Sequence, residues 1–270
     1  MIGILYICTG RYKIFWKQFY LSCEKYFLPG YQKKYIVFTD AEKIFAEDND
    51  NVHKHYQEKF DWPGNTLFRF ETFLKAEADM AGCDYLFFIN SNSKFVDNVT
   101  DDILPDGITD NGLVVAQSPA FMEHKRSDFN YEKNPLSTAF ISDDKGTHYF
   151  IGGLNGGKTE NYLQMIRILK DNIKKDLENN IIAIWHDESH LNRYMIDKNP
   201  KILDYEYISL DDWNLPYKTR LLLLDKAKYG GLNYLRGDHN INSGGYFRIK
   251  IALQKVKRKL KTTLRKFLFH

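Results

Sequence analysis

The sequence predicts an α/β fold in which helices cover both faces of a sheet. Residues 85–89 are five consecutive apolar or aromatic side chains without alternation, which is typical of a strand buried on both faces. A strand, a helix and a second strand are predicted within roughly the first forty residues, which is the beginning of a βαβ unit. With 270 residues and 43% hydrophobic content, the chain is long enough to bury a large core.

The first part of the chain provides the predicted βαβ unit. Residues 3–8 form an apolar run that ends at a Thr-Gly turn, which predicts a strand. Apolar side chains recur every three or four positions across residues 14–26, which predicts an amphipathic helix. Residues 35–38 predict the next strand. The segment 48–60 is polar and is expected to be irregular, whereas residues 65–80 carry a helical pattern.

The second part of the chain adds a strand, a long loop and a helix. Residues 112–116 predict the strand, and residues 118–142 predict a polar and aromatic loop of a length that is often functional. Glycine pairs at 152–153 and 156–157 allow the backbone to approach a ligand closely, although plain turns are an open alternative. Residues 159–178 carry apolar side chains on one face and predict a helix.

Polar side chains follow the central strand directly. Asn90 and Asn92 come after residues 85–89, at the carboxyl end where ligands bind in open α/β sheets. Because they are two apart in an extended segment, we expect both amides to point to one side and converge on one ligand. Amides ligate divalent cations only weakly. The alternative interpretation is a polar turn that closes a buried strand.

The cysteines and the first residues indicate the compartment. Cys8, Cys23 and Cys83 are odd in number and lack the spacing of a disulfide framework or a zinc site, which favours a reducing environment. Residues 1–8 lack a basic leader, and the chain contains no run of about 18 apolar residues. We therefore expect a cytoplasmic protein.

Residues 185–192 form a second centre of functional groups. The segment contains two acids, two imidazoles and an indole, a density that structural elements seldom need. His186 and His190 would share a helix face, as in zinc proteases, but that pattern requires Glu directly after the first His, where this chain has Asp187. A structural alternative stays open, in which Asp187 caps a helix that runs through Tyr194.

Together these motifs resemble the family-six glycosyltransferases, the retaining α-1,3-galactosyl- and N-acetylgalactosaminyltransferases that include the blood-group A and B enzymes and soluble bacterial relatives. The resemblance covers about Ile2 to Arg236. It rests weakly on residues 35–40 and 84–86, more strongly on the two glycine pairs, and above all on Trp185–Asn192. It implies a hexosyltransferase of the GT-A fold, a Rossmann-like mixed sheet flanked by helices, with the nucleotide-sugar donor at the strand ends.

The resemblance also implies how the donor diphosphate is bound. The animal enzymes hold manganese with an Asp-x-Asp motif, and Asn90-Ser91-Asn92 stands in its place, which is similar to bacterial relatives that work without metal. We therefore expect neither a metal nor another cofactor. Positive side chains must then stabilise the leaving diphosphate. Lys226 and Arg236 match the family's phosphate-binding segment, and Lys228 is a competing candidate.

The resemblance implies further roles in the transfer. Glu188 matches the catalytic carboxylate, which either attacks the anomeric carbon, as in a retaining glycosidase, or stabilises an oxocarbenium-like transition state. Other donor-binding positions are Ile7, Thr9 and Tyr12 for the uridine, with Arg69 and Asp187 for the sugar hydroxyls. In this family donor choice depends on small residues around the glycine pair. The segment Ile151-Gly152-Gly153 lacks side chains where bulkier ones would meet a 2-acetamido group, which favours UDP-N-acetylgalactosamine over UDP-galactose as donor.

The acceptor is expected to be a galactose in an oligosaccharide or a lipid-linked glycan. Trp185, His186 and Asp211 match acceptor-contacting positions, and a fucosylated galactose, as in the H antigen, is the first expectation. Ser118 stands where the family usually has His, and Asn130 stands where it has Thr, so the acceptor stays open. The alternatives in function are a non-catalytic carbohydrate-binding protein of the same fold and a zinc hydrolase.

The end of the chain is a separate segment. No low-complexity linker precedes residue 240, so we expect one domain over 1–240 and a tail over 241–270. Residues 248–270 contain nine cations and no acid, and subtracting these nine from the 38 basic residues leaves 29 against 35 acidic ones. Apolar residues recur there every three or four positions, which predicts an amphipathic helix and is typical of helices on anionic lipid.

We therefore hypothesise that residues 248–270 bring the protein to the inner face of the membrane. We expect no nucleic acid as a partner. The alternatives are a solvated helix packed on the acidic body and non-specific adhesion to nucleic acid. Removal of residues 248–270 should lower binding to anionic liposomes. Equal liposome binding with and without these residues would rule the hypothesis out.

Overall fold

The computed structural model describes residues 1–211 and 217–237. A seven-stranded mixed sheet forms its centre, which confirms the predicted α/β fold. Its strands are β1 Ile2–Ile7, β2 Lys33–Thr39, β3 Val52–Tyr56, β4 Tyr85–Ile89, β6 Leu113–Gln117, β7 Phe150–Lys158 and β8 Lys201–Leu203. A second sheet consists of β5 Ser93–Phe95, β9 Ser209–Leu210 and β10 Leu221–Leu223. The predicted basic tail lies outside the described residues.

The helices pack on both faces of the central sheet. They are α1 Trp16–Tyr26, α2 Gly64–Leu67, α3 Arg69–Leu74, α4 Glu77–Met80, α5 Thr159–Glu178, α6 Asp187–Ile196 and α7 Gly231–Arg236. One core layer, which includes Trp16 and Phe19, lies between the sheet and α1. The other, which includes Phe73 and Leu169, lies under α3, α5 and α6. Within the described part of the chain, no helix has the length and apolar character needed to cross a bilayer.

The strand order is β3-β2-β1-β4-β7-β6-β8, and β7 is antiparallel to its two neighbours. The N-terminal end of β7 therefore meets the carboxyl end of β4. The backbone N–H of Asn90 donates to the Gly153 carbonyl over 2.9 Å at this point. The topology thus brings the first glycine pair and the central strand end to one edge of the sheet.

The two glycine pairs have different environments. A Cβ at Gly156 would lie 2.5 Å from the Leu86 carbonyl oxygen, and one at Gly157 would lie 2.4 Å from the Gly112 carbonyl oxygen. This second pair permits β7 to pair closely with β4 and β6, in the middle of the sheet. Only the first pair lies where a ligand can approach.

Two predicted elements differ from the structure. Residues 48–60 are not irregular throughout, because Val52–Tyr56 forms edge strand β3 beside β2. An edge strand tolerates the polar pattern, since Val52 is buried while the later residues are partly or fully exposed. The predicted helix 65–80 is divided into α2, α3 and α4 at Phe68 and Ala76, where ψ is 14° and 27°. Its apolar stripe still faces the core.

Candidate active site at the carboxyl edge of the sheet

A cleft of about 310 Å³ opens at the edge where β1 and β4 end and β7 begins. This volume is at the lower end of the range for small-molecule sites. Most of the residues predicted for the donor and acceptor line it, and these are Ile7, Thr9, Tyr12, Arg69, Asn90, Ile151, Gly152, Gly153, Trp185, His186, Asp187, Glu188, Lys226 and Arg236. The topology therefore gathers side chains from across almost the whole described chain.

Asn192 fixes helix α6 against the start of β7. Its Oδ1 accepts from the Phe150 N–H over 2.9 Å, and its Nδ2 donates to the Phe150 carbonyl over 2.8 Å. The same amide group reaches the Glu188 carbonyl at 2.9 Å. Because these groups are buried, their pairing holds the first turn of α6 beside the glycine pair.

The Glu188 carboxylate is held by two donors. Tyr149 donates its hydroxyl to Oε1 over 2.8 Å, and the Gly152 N–H donates to Oε2 over 2.7 Å. A Cβ at Gly152 would lie 3.3 Å from the Glu188 Cβ, so glycine permits this close approach. Gly152 thus serves the carboxylate, whereas Gly153 faces Asn90, whose Cβ would be 3.4 Å away from an added Cβ.

Burial dominates the protonation of the two acids at the start of α6. It raises the pKa of Glu188 to about 7, against the lowering by the Gly152 N–H and the Tyr149 hydroxyl. It raises the pKa of Asp187 to about 6, against the lowering by the Arg69 guanidinium. Two adjacent carboxyl groups with raised pKa values in a cleft are typical of functional sites.

Arg69 connects three parts of the site. Its Nη1 lies 2.5 Å from Asp187 Oδ2 and donates to the Gly152 carbonyl over 2.9 Å. The guanidinium also lies 4.2 Å above the Phe88 ring of β4. Asp187 is the first residue of α6 and makes this ion pair, so the interpretation of Asp187 as the helix cap is wrong. The cap position belongs to His186.

His186 has an unusual backbone conformation, with φ of 55° and ψ of −122°. Such strain in a non-glycine residue is common at functional sites. The Trp62 ring meets its imidazole edge-on at 5.0 Å, and burial, together with Arg236 and Arg69, lowers the pKa of His186 to about 4. His186 is therefore neutral near pH 7. The neighbouring Trp185 also lines the cleft and is 44% exposed, so its ring is accessible to a ligand.

Cations surround the side of the cleft nearest to β1. Lys226 lies 5.6 Å above the Tyr12 ring, and burial, with Arg236 and Arg69, lowers its pKa to about 8. The Arg236 guanidinium stacks 3.6 Å above the Trp62 ring. The cleft is therefore suited to an anion. Lys228, the competing candidate, does not line the cleft and pairs with Asp211 at 2.8 Å.

The two amides after β4 do not project into the cleft together. Asn90 lines the cleft and donates to Asn92 Oδ1 over 3.0 Å. Asn92 is buried, and its Nδ2 donates to the Leu224 carbonyl over 2.8 Å. Asn92 thus connects β4 to the segment before Lys226 and orients Asn90, a second role that the spacing alone did not indicate.

Three predicted acceptor residues lie outside the cleft lining. Ser118 is buried at the end of β6, where its N–H donates to the Tyr149 carbonyl over 2.8 Å. Asn130 is exposed on the loop that follows. Asp211 is engaged by Lys228, as described above. The structure thus places these residues around the site but does not join them to Trp185 and His186.

Several lining residues were missed by the sequence analysis, namely Lys59, Phe60, Trp62, Asn65 and Thr66. They come from the polar segment before α3. Lys59 donates to the Arg236 carbonyl over 2.7 Å, which joins this segment to α7. The one available signal was Trp62, an aromatic residue next to a Pro-Gly turn, but neither periodicity nor a motif distinguishes it from a surface residue.

His190 does not join His186 to form a metal site. His190 lies on α6 and is buried, and its Nε2 lies 3.7 Å from Asp176 Oδ2 of α5. Within residues 1–211 and 217–237, no group of three His, Cys, Asp or Glu side chains is arranged to hold a metal. At the strand end, the hydrogen bond from Asn90 occupies Oδ1 of Asn92.

Comparisons with known proteins identify the family of the chain. The family model for glycosyltransferase family 6 matches residues 1–229. The O-antigen biosynthesis glycosyltransferase WbnI of Escherichia coli is 34% identical over 235 residues, covering 86% of this chain and 99% of that protein. The globoside alpha-1,3-N-acetylgalactosaminyltransferase 1 of Homo sapiens is 30% identical over 235 residues, covering 82% of this chain and 64% of that protein.

A third relative is the histo-blood group ABO system transferase 1 of Rattus norvegicus, which is 29% identical over 215 residues. That alignment covers 77% of this chain and 63% of the rat protein. The chain therefore spans somewhat less than two thirds of these animal relatives, whereas it spans nearly all of the bacterial one. With the family model matched over most of its length, this chain belongs to glycosyltransferase family 6.

Proposed function

We propose that the protein transfers N-acetylgalactosamine, or else galactose, from a UDP carrier to O3 of a galactose acceptor, with an α-linkage retained and without a metal. The observation that carries this proposal is the Glu188 carboxylate, which lines the same cleft as the cations Lys226 and Arg236 and the exposed Trp185. The names of the relatives, which include an α-1,3-N-acetylgalactosaminyltransferase and an O-antigen glycosyltransferase, support the same chemistry.

The cations of the cleft suit a diphosphate leaving group. In the transfer, the bond between the anomeric carbon and the diphosphate oxygen breaks, and the electron pair leaves with the diphosphate. Lys226 and Arg236 would stabilise this developing negative charge, in place of the divalent ion that other transferases use. A nucleoside diphosphate is a good leaving group, so the site needs no acid to protonate it. Tyr12 would stack on the uracil ring, beside Ile7 and Thr9.

Glu188 would face the positive charge that develops at the anomeric carbon. In one route its carboxylate bonds to this carbon as the diphosphate leaves, and the acceptor O3 then displaces the carboxylate. In the other route Glu188 only stabilises the cation while O3 attacks from the side of the leaving group. In both routes the proton of the acceptor hydroxyl passes to the departing diphosphate. The charged form of Glu188 is required in each.

The alternative function is carbohydrate binding without catalysis. Glu188 argues against it, because a binding protein has no need for a carboxylate whose burial is unfavourable. Trp185 would stack on the acceptor galactose, and a fucosylated acceptor remains the first choice. Because Ser118 and Asn130 differ from the residues that the family usually has at these positions, other acceptors should be tested as well.

The direct test is sugar transfer to 2′-fucosyllactose from UDP-N-acetylgalactosamine and from UDP-galactose, each with excess EDTA. We expect transfer of N-acetylgalactosamine in EDTA, because side-chain cations stabilise the diphosphate. The Glu188→Gln variant should lose about a hundred-fold or more in rate. Activity only after manganese is added would contradict the metal-free mechanism. No transfer with or without manganese would mean that 2′-fucosyllactose is not the acceptor, or that the protein binds carbohydrate without catalysis.

Donor choice is tested at Gly153. A Cβ there makes only ordinary contacts, the nearest at 3.4 Å, so Gly153→Ala should fold normally and narrow the space beside Asn90. We expect the ratio of N-acetylgalactosamine to galactose transfer to fall about ten-fold, the effect of one misplaced methyl group. Gly30→Ala, where an added Cβ has no atom within 4 Å, is the matched control. An unchanged donor ratio in Gly153→Ala would show that the space at Gly153 does not determine donor choice.

A further inference from the structure

Tyr149 contacts Glu188 without lining the cleft. It is 4% exposed, and its hydroxyl donates to Oε1 of Glu188 over 2.8 Å. A bound sugar cannot easily reach a group so deeply buried. Any effect of this hydroxyl on the reaction must therefore pass through Glu188.

The Tyr149 ring is fixed by an aromatic cluster. Its centroid lies 4.5 Å from that of Phe121, 5.6 Å from that of Tyr131 and 6.1 Å from that of Phe129. These partners belong to the loop that also carries Ser118 and Asn130, on the side of the molecule where the acceptor is expected. The hydroxyl is thus presented to Glu188 by a rigid support.

We propose that Tyr149 is a positioning residue for the transfer reaction, whose hydroxyl fixes the plane of the Glu188 carboxylate toward the anomeric carbon. The inference rests on the proposed function, in which Glu188 acts at that carbon. With Tyr149 on Oε1 and the Gly152 N–H on Oε2, each carboxylate oxygen has one fixed donor. Rotation of the carboxylate would break both hydrogen bonds, so one lone pair on each oxygen keeps a constant direction.

The same hydrogen bond favours the charged form of Glu188, which the transfer requires. Other groups also face this carboxyl group: Asp187 beside it raises its pKa, whereas Arg69 from α3 and the Gly152 N–H from β7 lower it. His186 is neutral near pH 7, as described above. Burial keeps the pKa of Tyr149 far above its ordinary value, so the phenol remains a donor throughout the working pH range.

Tyr149→Phe removes the hydroxyl and keeps the ring. We expect the acid limb of the pH profile of kcat/KM to move upward by about one pH unit, because a hydrogen bond to the charged form is lost. At pH 7 kcat should fall about ten-fold, with the donor KM changed less than about two-fold. In a Glu188→Gln background, Tyr149→Phe should have no further effect on the rate, since the two residues act as a unit.

Tyr131→Phe is the matched control. Tyr131 belongs to the same cluster, but its hydroxyl donates to the His148 carbonyl and not to Glu188. This variant should leave the acid limb in place. The inference would be overturned if the acid limb of the kcat/KM profile stays at the same pH in Tyr149→Phe as in the wild type. It would also be overturned if Tyr131→Phe shifts the acid limb by the same amount as Tyr149→Phe.

A second measurement does not depend on transfer. Titration of the Glu188 carboxyl carbon by NMR in the wild type and in Tyr149→Phe should give a higher pKa in the variant. An equal pKa in the two proteins would overturn the inference even if transfer is observed. If the pKa of Glu188 is higher in Tyr149→Phe but the wild type transfers no sugar, the hydrogen bond is supported and only the proposed function is contradicted.

Discussion

The attachment of helix α6 to the start of strand β7 determines the rest of the site. Asn192 makes this attachment through the backbone of Phe150, and Arg69 reinforces it by binding both Asp187 and the Gly152 carbonyl. Glycine at position 152 lets the helix come close enough for the backbone N–H to reach Glu188. The consequence is a half-buried carboxylate that lines the cleft at this edge of the sheet.

The electrostatics of the cleft follow from this burial. The acidic side at the start of α6 and the cationic side formed by Lys226 and Arg236 face the same small volume. Burial opposes the charged state of each, since the pKa of Glu188 rises to about 7 while that of Lys226 falls to about 8. A bound diphosphate and a cationic sugar would supply the opposite charges that each side lacks.

The sequence predicted the fold class and most of the residues that line the cleft, for physical reasons. Uninterrupted apolar runs identify strands of a covered sheet, and the Trp185–Asn192 motif identifies the carboxylates. The sequence pattern did not predict β3, because an edge strand can be polar. It also did not predict that the helix expected at 65–80 is divided. Contacts between distant segments were also beyond it: the Trp62–Arg236 stack and the Tyr149–Glu188 hydrogen bond depend on packing and leave no local pattern.

Because burial opposes the charge of Glu188, this residue destabilises the fold at neutral pH, and we infer that it is kept for chemistry. Denaturant unfolding of the wild type and Glu188→Gln across pH tests this inference. Because the folded pKa of about 7 exceeds the unfolded value of about 4.3, the unfolded state loses its proton first, and stability falls as pH rises between these values. We expect the stability of Glu188→Gln to increase relative to that of the wild type from pH 5 to pH 8. A stability difference that is independent of pH, or that favours the wild type at pH 8, would contradict it.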